Sequence, residues 1–255
     1  MIKIGLSLIA MLASQLVFAG QVAIVIDDIG YKPSDKKLFS IDANLTYAVL
    51  PHTPFGYRYA KLANQKDRDV ILHLPMQAQT QNELLGPGAL KANMAKGEYQ
   101  QTLLSALEDI PFAVGINNHM GSLLTQLDEP MSWTMEVLQQ HNLFFLDSKT
   151  TNKSRIEPIG HEFGVKTLDR NIFLDHIREP KAMAWQFRRL IKMAKRNGSA
   201  IAIGHPYPET YQFLKDNLIK LEEAGIKVVP LSEMLYPSDA ALADNKSNKA
   251  DVSGS

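Results

Sequence analysis

Residues 22–30 read VAIVIDDIG, an apolar run of five residues that leads directly into two aspartates. An uninterrupted apolar run is typical of a strand that is covered on both faces, as in a parallel sheet. The abrupt polar end places Asp27 and Asp28 at the carboxyl end of that strand, where α/β proteins build their sites. The segment therefore predicts a buried parallel strand that ends in a polar site.

The same kind of apolar run recurs along the chain and alternates with helical patterns. The further predicted strands are 46–50, 70–74, 113–116, 143–146, 172–174, 200–203 and 227–229. The predicted helices are 57–68, 98–110, 129–142, 181–198 and 208–225. This alternation predicts an α/β fold with a mostly parallel sheet. The number of units favours a (β/α) barrel of about seven parallel strands, and a doubly wound open sheet is the alternative.

The composition excludes several classes of protein. The 255 residues contain 27 Lys and Arg against 27 Asp and Glu, and they contain no Cys. A balanced charge argues against a nucleic-acid-binding protein, which needs a basic excess. The absence of Cys excludes disulfides, thiolate metal sites and cysteine nucleophiles. Any metal ion must therefore be bound by histidine and carboxylate.

The two ends of the chain differ from its middle. Residues 1–19 have a basic start, an apolar run and small residues at 17 and 19, which predicts a signal peptide cut between Ala19 and Gly20. A retained membrane anchor is the alternative, but the run is short for a span. We therefore expect an exported protein, periplasmic or secreted, with no stable membrane span after the signal is removed. Residues 20–237 form the predicted domain, and residues 238–255 form a flexible polar tail.

Histidines and aspartates collect at the ends of the predicted strands. Asp28, His73, His119 and His205 each fall at such an end, and in a parallel barrel these ends share one mouth. Any one of these histidines is as well explained by a hydrogen-bonded core position, but the collective pattern indicates a common pocket. Imidazoles and a carboxylate without thiolates suit zinc or another divalent transition metal. Such a metal acidifies a bound water, and an adjacent carboxylate can take the proton.

Five segments in fixed order carry a family resemblance. They are AIVIDDIG (23–30), ILHLPMQ (71–77), GINNHMGS (115–122), FFLDSKT (144–150) and AIAIGHPYPET (200–210). With them the chain resembles the divergent polysaccharide deacetylases, a branch of the NodB-like carbohydrate esterase superfamily, from Val22 to Tyr236. The resemblance implies a distorted (β/α) barrel, a divalent metal that is usually Zn²⁺, and a glycan substrate.

The resemblance also implies roles for individual residues. Asp27 matches the catalytic base, Asp28 matches a metal ligand, and His205 matches the residue that assists the leaving group. His119 matches the first of two metal-binding histidines that stand four residues apart. The second position is Leu123, which cannot bind a metal.

Other site residues are inferred with less help from the family pattern. We take His73, at the neighbouring strand end, as the replacement for the missing metal ligand. Asp147 and Asp175 are expected to orient the histidines by hydrogen bonds. For Asp147 the alternative is that it only orders Ser148 and Lys149. The sequence contains no convincing equivalent of the superfamily's Arg-x-Pro motif.

The function expected from the sequence is removal of N-acetyl groups from an envelope or extracellular glycan such as peptidoglycan. The alternative is a catalytically degenerate envelope protein that binds peptidoglycan or a protein partner, since the second motif histidine is missing. A metal phosphoesterase is less favoured, because Lys149 is the one basic residue near the strand ends that could clamp a phosphate.

Overall fold

The computed structural model describes residues 20–236 of the chain. The predicted signal peptide, residues 1–19, and the predicted polar tail, residues 238–255, lie outside the described residues. Within them, no helix combines the length and apolar character that crossing a bilayer requires.

Nine parallel strands form one sheet in the described part of the chain. The strands are β1 Gly20–Ile29, β2 Thr46–Val49, β3 Val70–Met76, β4 Ala113–Met120, β5 Phe144–Asp147, β6 Thr167–Asp169, β7 Ile172–Phe173, β8 Ser199–Gly204 and β9 Ile226–Val228. Along the sheet they follow the order β6-β5-β4-β3-β2-β1-β8-β7, and β9 pairs with the first residues of β1. All eight predicted strands are present, and β6 is an addition that the sequence analysis missed.

The sheet is curled into a distorted barrel. The strands β6 and β7 stand at opposite ends of the strand order, yet only Arg170 and Asn171 separate them in the chain. The backbone N–H of Arg170 donates to the carbonyl oxygen of Asp147 at 3.0 Å, and that of Asn171 donates to Ile201 at 2.9 Å. This two-residue link therefore joins the edge at β5 and β6 to the edge at β7 and β8. The predicted α/β barrel class is confirmed, with nine strands in place of about seven.

Helices cover the outside of the sheet. Four of the five predicted helices are present with small shifts at their ends, and the fifth, 208–225, is divided into two at Leu218. Helix α4 was not predicted, because it is short and contains Pro158 and Gly160. The helices are α1 Gly56–Asn64, α2 Lys96–Asp109, α3 Asp128–Gln140, α4 Ile156–Glu162, α5 Pro180–Asn197, α6 Pro208–Asn217 and α7 Ile219–Glu223.

Two apolar layers hold the barrel together. Alternate residues of β1 illustrate them: Val22, Ile24 and Ile26 pack outward against the helices, while Ala23 and Val25 pack inside the barrel. The inner layer also contains Leu231 from a 3₁₀ turn, Leu231–Leu235, at the amino ends of the strands. The backbone N–H of Leu231 donates to the hydroxyl of Thr46 at 3.0 Å, which anchors this turn. The amino end of the barrel is thus filled with apolar side chains, and the polar residues collect at the opposite end.

Candidate metal centre

The end of β1 contains a bulge that changes the directions in which the side chains of Asp27 and Asp28 point. Its register against β2 shifts between Ile26 and Ile29, and Asp28 has a positive φ of 57°. Adjacent residues of a regular strand point to opposite faces, and a bulge removes that constraint. The side chains of Asp27 and Asp28 therefore both reach the mouth of the barrel, as the sequence analysis expected for this strand end.

Asp28, His73 and His119 converge at this mouth and form a candidate metal site. The Oδ1 atom of Asp28 lies 3.2 Å from Nε2 of His73 and 3.1 Å from Nδ1 of His119. The two imidazole nitrogens lie 3.1 Å from each other. On its outer side, His119 Nε2 is 3.5 Å from the carbonyl oxygen of Leu84, which leaves Nδ1 directed at the centre. These three residues come from β1, β3 and β4, three neighbouring strands of the sheet.

The cluster fits a divalent cation by two criteria. First, Asp28 Oδ1 is buried and accepts no well-formed hydrogen bond from the described residues, although buried polar atoms are normally paired. Second, one carboxylate and two imidazoles are the donor set that zinc commonly takes in hydrolases. Burial alone would raise the pKa of Asp28, but its contacts with His119 and His73 outweigh burial and hold that pKa well below its usual range. The carboxylate is therefore ionised and ready to bind a cation.

Asn117 fixes the orientation of two site residues and was missed by the sequence analysis. Its side-chain oxygen lies 2.8 Å from Nδ1 of His73, so Nδ1 carries the proton and Nε2 keeps its lone pair. Its amide nitrogen donates to Asp27 Oδ1 at 2.9 Å and to the hydroxyl of Ser148 at 3.2 Å. Asn117 is fully buried and lies opposite His73 in the register of β3 and β4. One neutral amide thus connects a candidate metal ligand to the neighbouring carboxylate.

Asp27 lies beside the metal cluster and outside its closest contacts. Its Oδ2 atom is 3.8 Å from Nε2 of His73, and its side chain is buried. Burial raises the pKa of Asp27 more than the nearby histidines and Asn117 lower it. A buried carboxylate with a raised pKa binds a proton more readily than an exposed one. The position of Asp27 beside the cluster and its raised pKa therefore both suit it to accept a proton.

His205 and Asp175 form a hydrogen-bonded pair at the ends of β8 and β7. Nδ1 of His205 lies 2.9 Å from Asp175 Oδ1. Asp175 Oδ2 accepts from the backbone N–H of His205 and from the Thr210 hydroxyl, each at 2.6 Å. Burial opposes protonation of His205, but the hydrogen bond that it donates to Asp175 and the charges of Asp28, Asp175 and Asp27 outweigh burial and raise its pKa to about 9. The imidazole of His205 is thus protonated at neutral pH, and Asp175 orients it as the sequence analysis expected.

Asp147 has the alternative role that the sequence left open for it. Among the described residues its carboxylate pairs with Lys149 and not with a histidine. Asp147 Oδ1 accepts from the backbone N–H of Lys149 at 2.7 Å, and Oδ2 lies 3.2 Å from its ammonium group. The reason is local: Lys149 follows two residues later with a positive φ of 49°, which turns its backbone N–H toward Asp147.

Arg170 is a second residue that the sequence analysis missed. It lies in the link between β6 and β7, and its guanidinium group donates to the carbonyl oxygens of Ser148 at 2.7 Å and Lys149 at 3.0 Å. Burial lowers the pKa of this guanidinium group, and the negative charges of Asp27 and Asp147 oppose that effect. Arg170 therefore places a half-buried cation near the proton-accepting carboxylate, although no Arg-x-Pro motif marks it in the sequence.

Comparison with known sequences identifies relatives over most of the chain. The family described as divergent polysaccharide deacetylase matches residues 24–235. The uncharacterized protein YibQ of Escherichia coli (strain K12) is 38% identical over 232 residues, which span 90% of this chain and 72% of that protein.

Solved structures share the fold at low sequence identity. The uncharacterized protein ATU2773 from Agrobacterium tumefaciens C58 has a TM-score of 0.81 at 19% identity, over 84% of this chain and 89% of that chain. The Bc1960 peptidoglycan N-acetylglucosamine deacetylase has a TM-score of 0.57 at 11% identity, over 88% and 91%. BA3943 from Bacillus anthracis, a CE4 family pseudoenzyme, has a TM-score of 0.52 at 16% identity, over 84% and 65%. The same fold therefore occurs in a protein described as a deacetylase and in one described as a pseudoenzyme.

Proposed function

The chain belongs to the divergent polysaccharide deacetylase family, and from that premise we propose that it is an exported, metal-dependent deacetylase of an envelope or extracellular glycan. The observation that supports activity most strongly is the convergence of Asp28, His73 and His119 on one point. His73 there takes the place of the ligand that Leu123 cannot provide.

Asp28, His73 and His119 would hold the cation, and zinc suits the donor set best. A divalent cation at this point supplies Lewis acidity and a lowered pKa for water. The protein contributes the orientation of its ligands, because Asn117 holds His73 with Nε2 facing the centre.

Asp27 and His205 would move the two protons of the reaction. Asp27 takes a proton from the water whose oxygen forms a bond with the acetyl carbonyl carbon. His205, protonated at neutral pH, donates a proton to the sugar nitrogen as its bond to that carbon breaks. The products are acetic acid, which ionises to acetate in solution, and a free amine. The cycle closes when the proton held by Asp27 is released to solvent and His205 takes one up. Asp175 keeps the imidazole of His205 in place throughout.

The substrate proposal is a glycan that contains N-acetyl sugars, with peptidoglycan as the first candidate. It is supported by the family and by the fold shared with a peptidoglycan N-acetylglucosamine deacetylase. Export is supported by the character of residues 1–19 and is tested by sequencing the amino terminus of the protein recovered from its host.

Acetate release from peptidoglycan fragments and chitooligosaccharides, measured together with bound metal, tests the proposal. The wild-type protein is expected to bind metal and release acetate. Asp27→Asn should abolish acetate release and leave the metal bound, because Asp27 lies outside the ligand cluster. His119→Ala should lower metal affinity. Full activity in either variant would remove the role assigned to that residue.

A second candidate is a catalytically degenerate protein that binds peptidoglycan or a protein partner in the envelope. Leu123 at the position of the second motif histidine favours it, and a pseudoenzyme has the same fold. Retention on insoluble peptidoglycan without metal and without acetate release would support this candidate against the enzyme.

A further inference from the structure

Helix α5 has an outer face made almost entirely of cations. Its sequence is PKAMAWQFRRLIKMAKRN, and it contains no acidic residue. The basic residues are Lys181, Arg188, Arg189, Lys192, Lys195 and Arg196, and all are exposed. Trp185, at the centre of this face, is 52% exposed. We call these six cations and Trp185 the α5 strip.

The α5 strip occupies one side of the helix. At 3.6 residues per turn, its seven residues fall within an arc of about 120°. The buried residues Met183, Phe187, Leu190 and Ala194 fall on the opposite side and pack against the sheet. The strip therefore faces away from the barrel along the whole helix.

The cations of the strip are not neutralised by the protein. No carboxylate in the described part of the chain lies within 4.0 Å of any of them. Arg189 stacks over the ring of Trp185, 4.7 Å from its centroid. The whole chain has a formal charge of zero, so the strip is a local excess of positive charge on a neutral molecule.

The strip also lies beside the point where the amino-terminal segment joins the fold. Gly20 begins β1, and a Cβ atom there would lie 2.6 Å from the carbonyl oxygen of Ala194 in the last turn of α5. The N–H of Gln21 donates to Gly198, which follows the helix, at 2.8 Å. Residues 1–19 precede Gly20 directly and contain the longest apolar run of the sequence. Until the predicted cut after Ala19, the segment that is chemically suited to a bilayer therefore joins the fold next to Lys195 and Arg196.

We propose that the α5 strip docks the protein on an anionic phospholipid surface. Each Lys or Arg that comes near such a surface strengthens binding about fivefold. A tryptophan ring among the cations suits the boundary between headgroups and acyl chains. Because α5 connects the parallel strands β7 and β8, it runs back along the side of the barrel, antiparallel to them. Docking on its outer face lays the barrel on its side, and the mouth with Asp28, His73 and His119 then opens along the membrane surface.

Vesicle sedimentation tests this proposal without measuring catalysis, so its outcome is independent of the proposed deacetylase activity. The protein used is the chain from Gly20 onward, which is the predicted mature form and contains the whole described fold. We expect binding to vesicles that contain phosphatidylglycerol, little binding to pure phosphatidylcholine, and release by high salt. We also expect the emission of Trp185 to shift to shorter wavelength on binding, and this shift should be lost in Trp185→Phe.

Paired charge reversals give the decisive comparison. Arg188→Glu with Lys192→Glu should weaken binding to anionic vesicles more than tenfold. Lys36→Glu with Lys37→Glu makes the same change in net charge on another exposed segment and should change binding less than twofold. Equal binding by both double variants would overturn the proposal, as would the absence of wild-type binding to anionic vesicles. Binding to a soluble polyanion without binding to vesicles would also overturn it. If the α5 double variant fails to fold, two measurements on other proteins test the proposal instead. These are the release of the wild-type protein from anionic vesicles by salt, and the emission shift that Trp185→Phe should lose.

Discussion

Asn117 is the residue on which the geometry of the site depends most. It holds the imidazole of His73 from one side of its amide and the carboxylate of Asp27 from the other. The sequence gives no sign of this role, because an uncharged asparagine in a strand looks the same whether it orients a site residue or only stabilises the fold. Its function depends on the β3–β4 register, which places it opposite His73.

Asn117→Ala is expected to lower metal affinity about 10- to 100-fold, the usual effect of losing a residue that orients a metal ligand. The reason is that His73 loses the acceptor for its Nδ1 proton and is free to rotate or change tautomer. Competition against a chelating dye measures the affinity. The matched control is Asn118→Ala: Asn118 is also buried, but it bonds Met120 and Ser148 on the other face of β4. An Asn117→Ala protein with wild-type affinity would show that the amide is merely structural.

The protonation of His205 is expected to determine how kcat changes at alkaline pH. Its pKa of about 9 means that the imidazole is protonated below that pH and loses its proton as the pH rises through it. Because the protonated form is the proposed proton donor, kcat should fall on the alkaline side of neutrality as His205 loses its proton. The rate of acetate release at saturating substrate, followed as a function of pH, measures this fall.

Asp175→Asn tests the cause of that pKa. The variant removes the negative charge that favours protonated His205, so the alkaline fall in kcat should move to lower pH. If kcat of Asp175→Asn falls at the same pH as kcat of the wild type, the alkaline fall is not caused by the His205–Asp175 pair.

At the scale of elements, the end of β1 is the most constrained part of the fold. After the bulge at Asp28, Gly30 has a φ of 136°, and a Cβ atom there would lie 2.2 Å from the hydroxyl oxygen of Thr53. Its N–H donates to the buried carboxylate of Asp35 at 3.1 Å. The turn that follows the two site aspartates thus depends on a residue without a side chain.

Gly30→Ala should lower the free energy of unfolding by about 1–3 kcal/mol, because the backbone conformation is one that side-chain-bearing residues avoid. Gly97→Ala is the control: Gly97 lies in α2, and a Cβ atom there meets nothing within 4 Å. That substitution should leave stability unchanged or raise it by up to about 1 kcal/mol. Urea unfolding of the two variants measures both values, and equal stability would show that the turn tolerates a side chain.

Strands and helices were predictable from the sequence where an apolar run or a helical pattern was clear. Eight strands were evident as apolar runs because both faces of a parallel sheet are covered. The strand β6 has three residues, Thr167–Asp169, and two of them are polar, so it has no such run. The helical pattern over 208–225 continued through Leu218, where the structure divides it into α6 and α7. Local sequence therefore predicts where an element lies, but not where tertiary packing interrupts it.

At the scale of the whole molecule, the sequence located the site because of one topological fact. In a parallel barrel all strands end at one mouth, so Asp28, His73, His119 and His205 could be placed together from strand ends alone. Arg170 could not, because it reaches the site only through the link that closes the barrel between β6 and β7. For Asp147 the sequence left a histidine and Lys149 open as partners, and the backbone turn at Lys149 decides in favour of Lys149.

The most direct test of the account is anomalous diffraction from crystals of the protein grown with zinc. We predict one strong peak about 2.0–2.2 Å from Asp28 Oδ1, His73 Nε2 and His119 Nδ1, the usual range for zinc bound to oxygen and nitrogen. A crystal in which zinc binds elsewhere, or in which these three side chains diverge with no peak between them, would contradict the proposed centre and the hydrolase that depends on it.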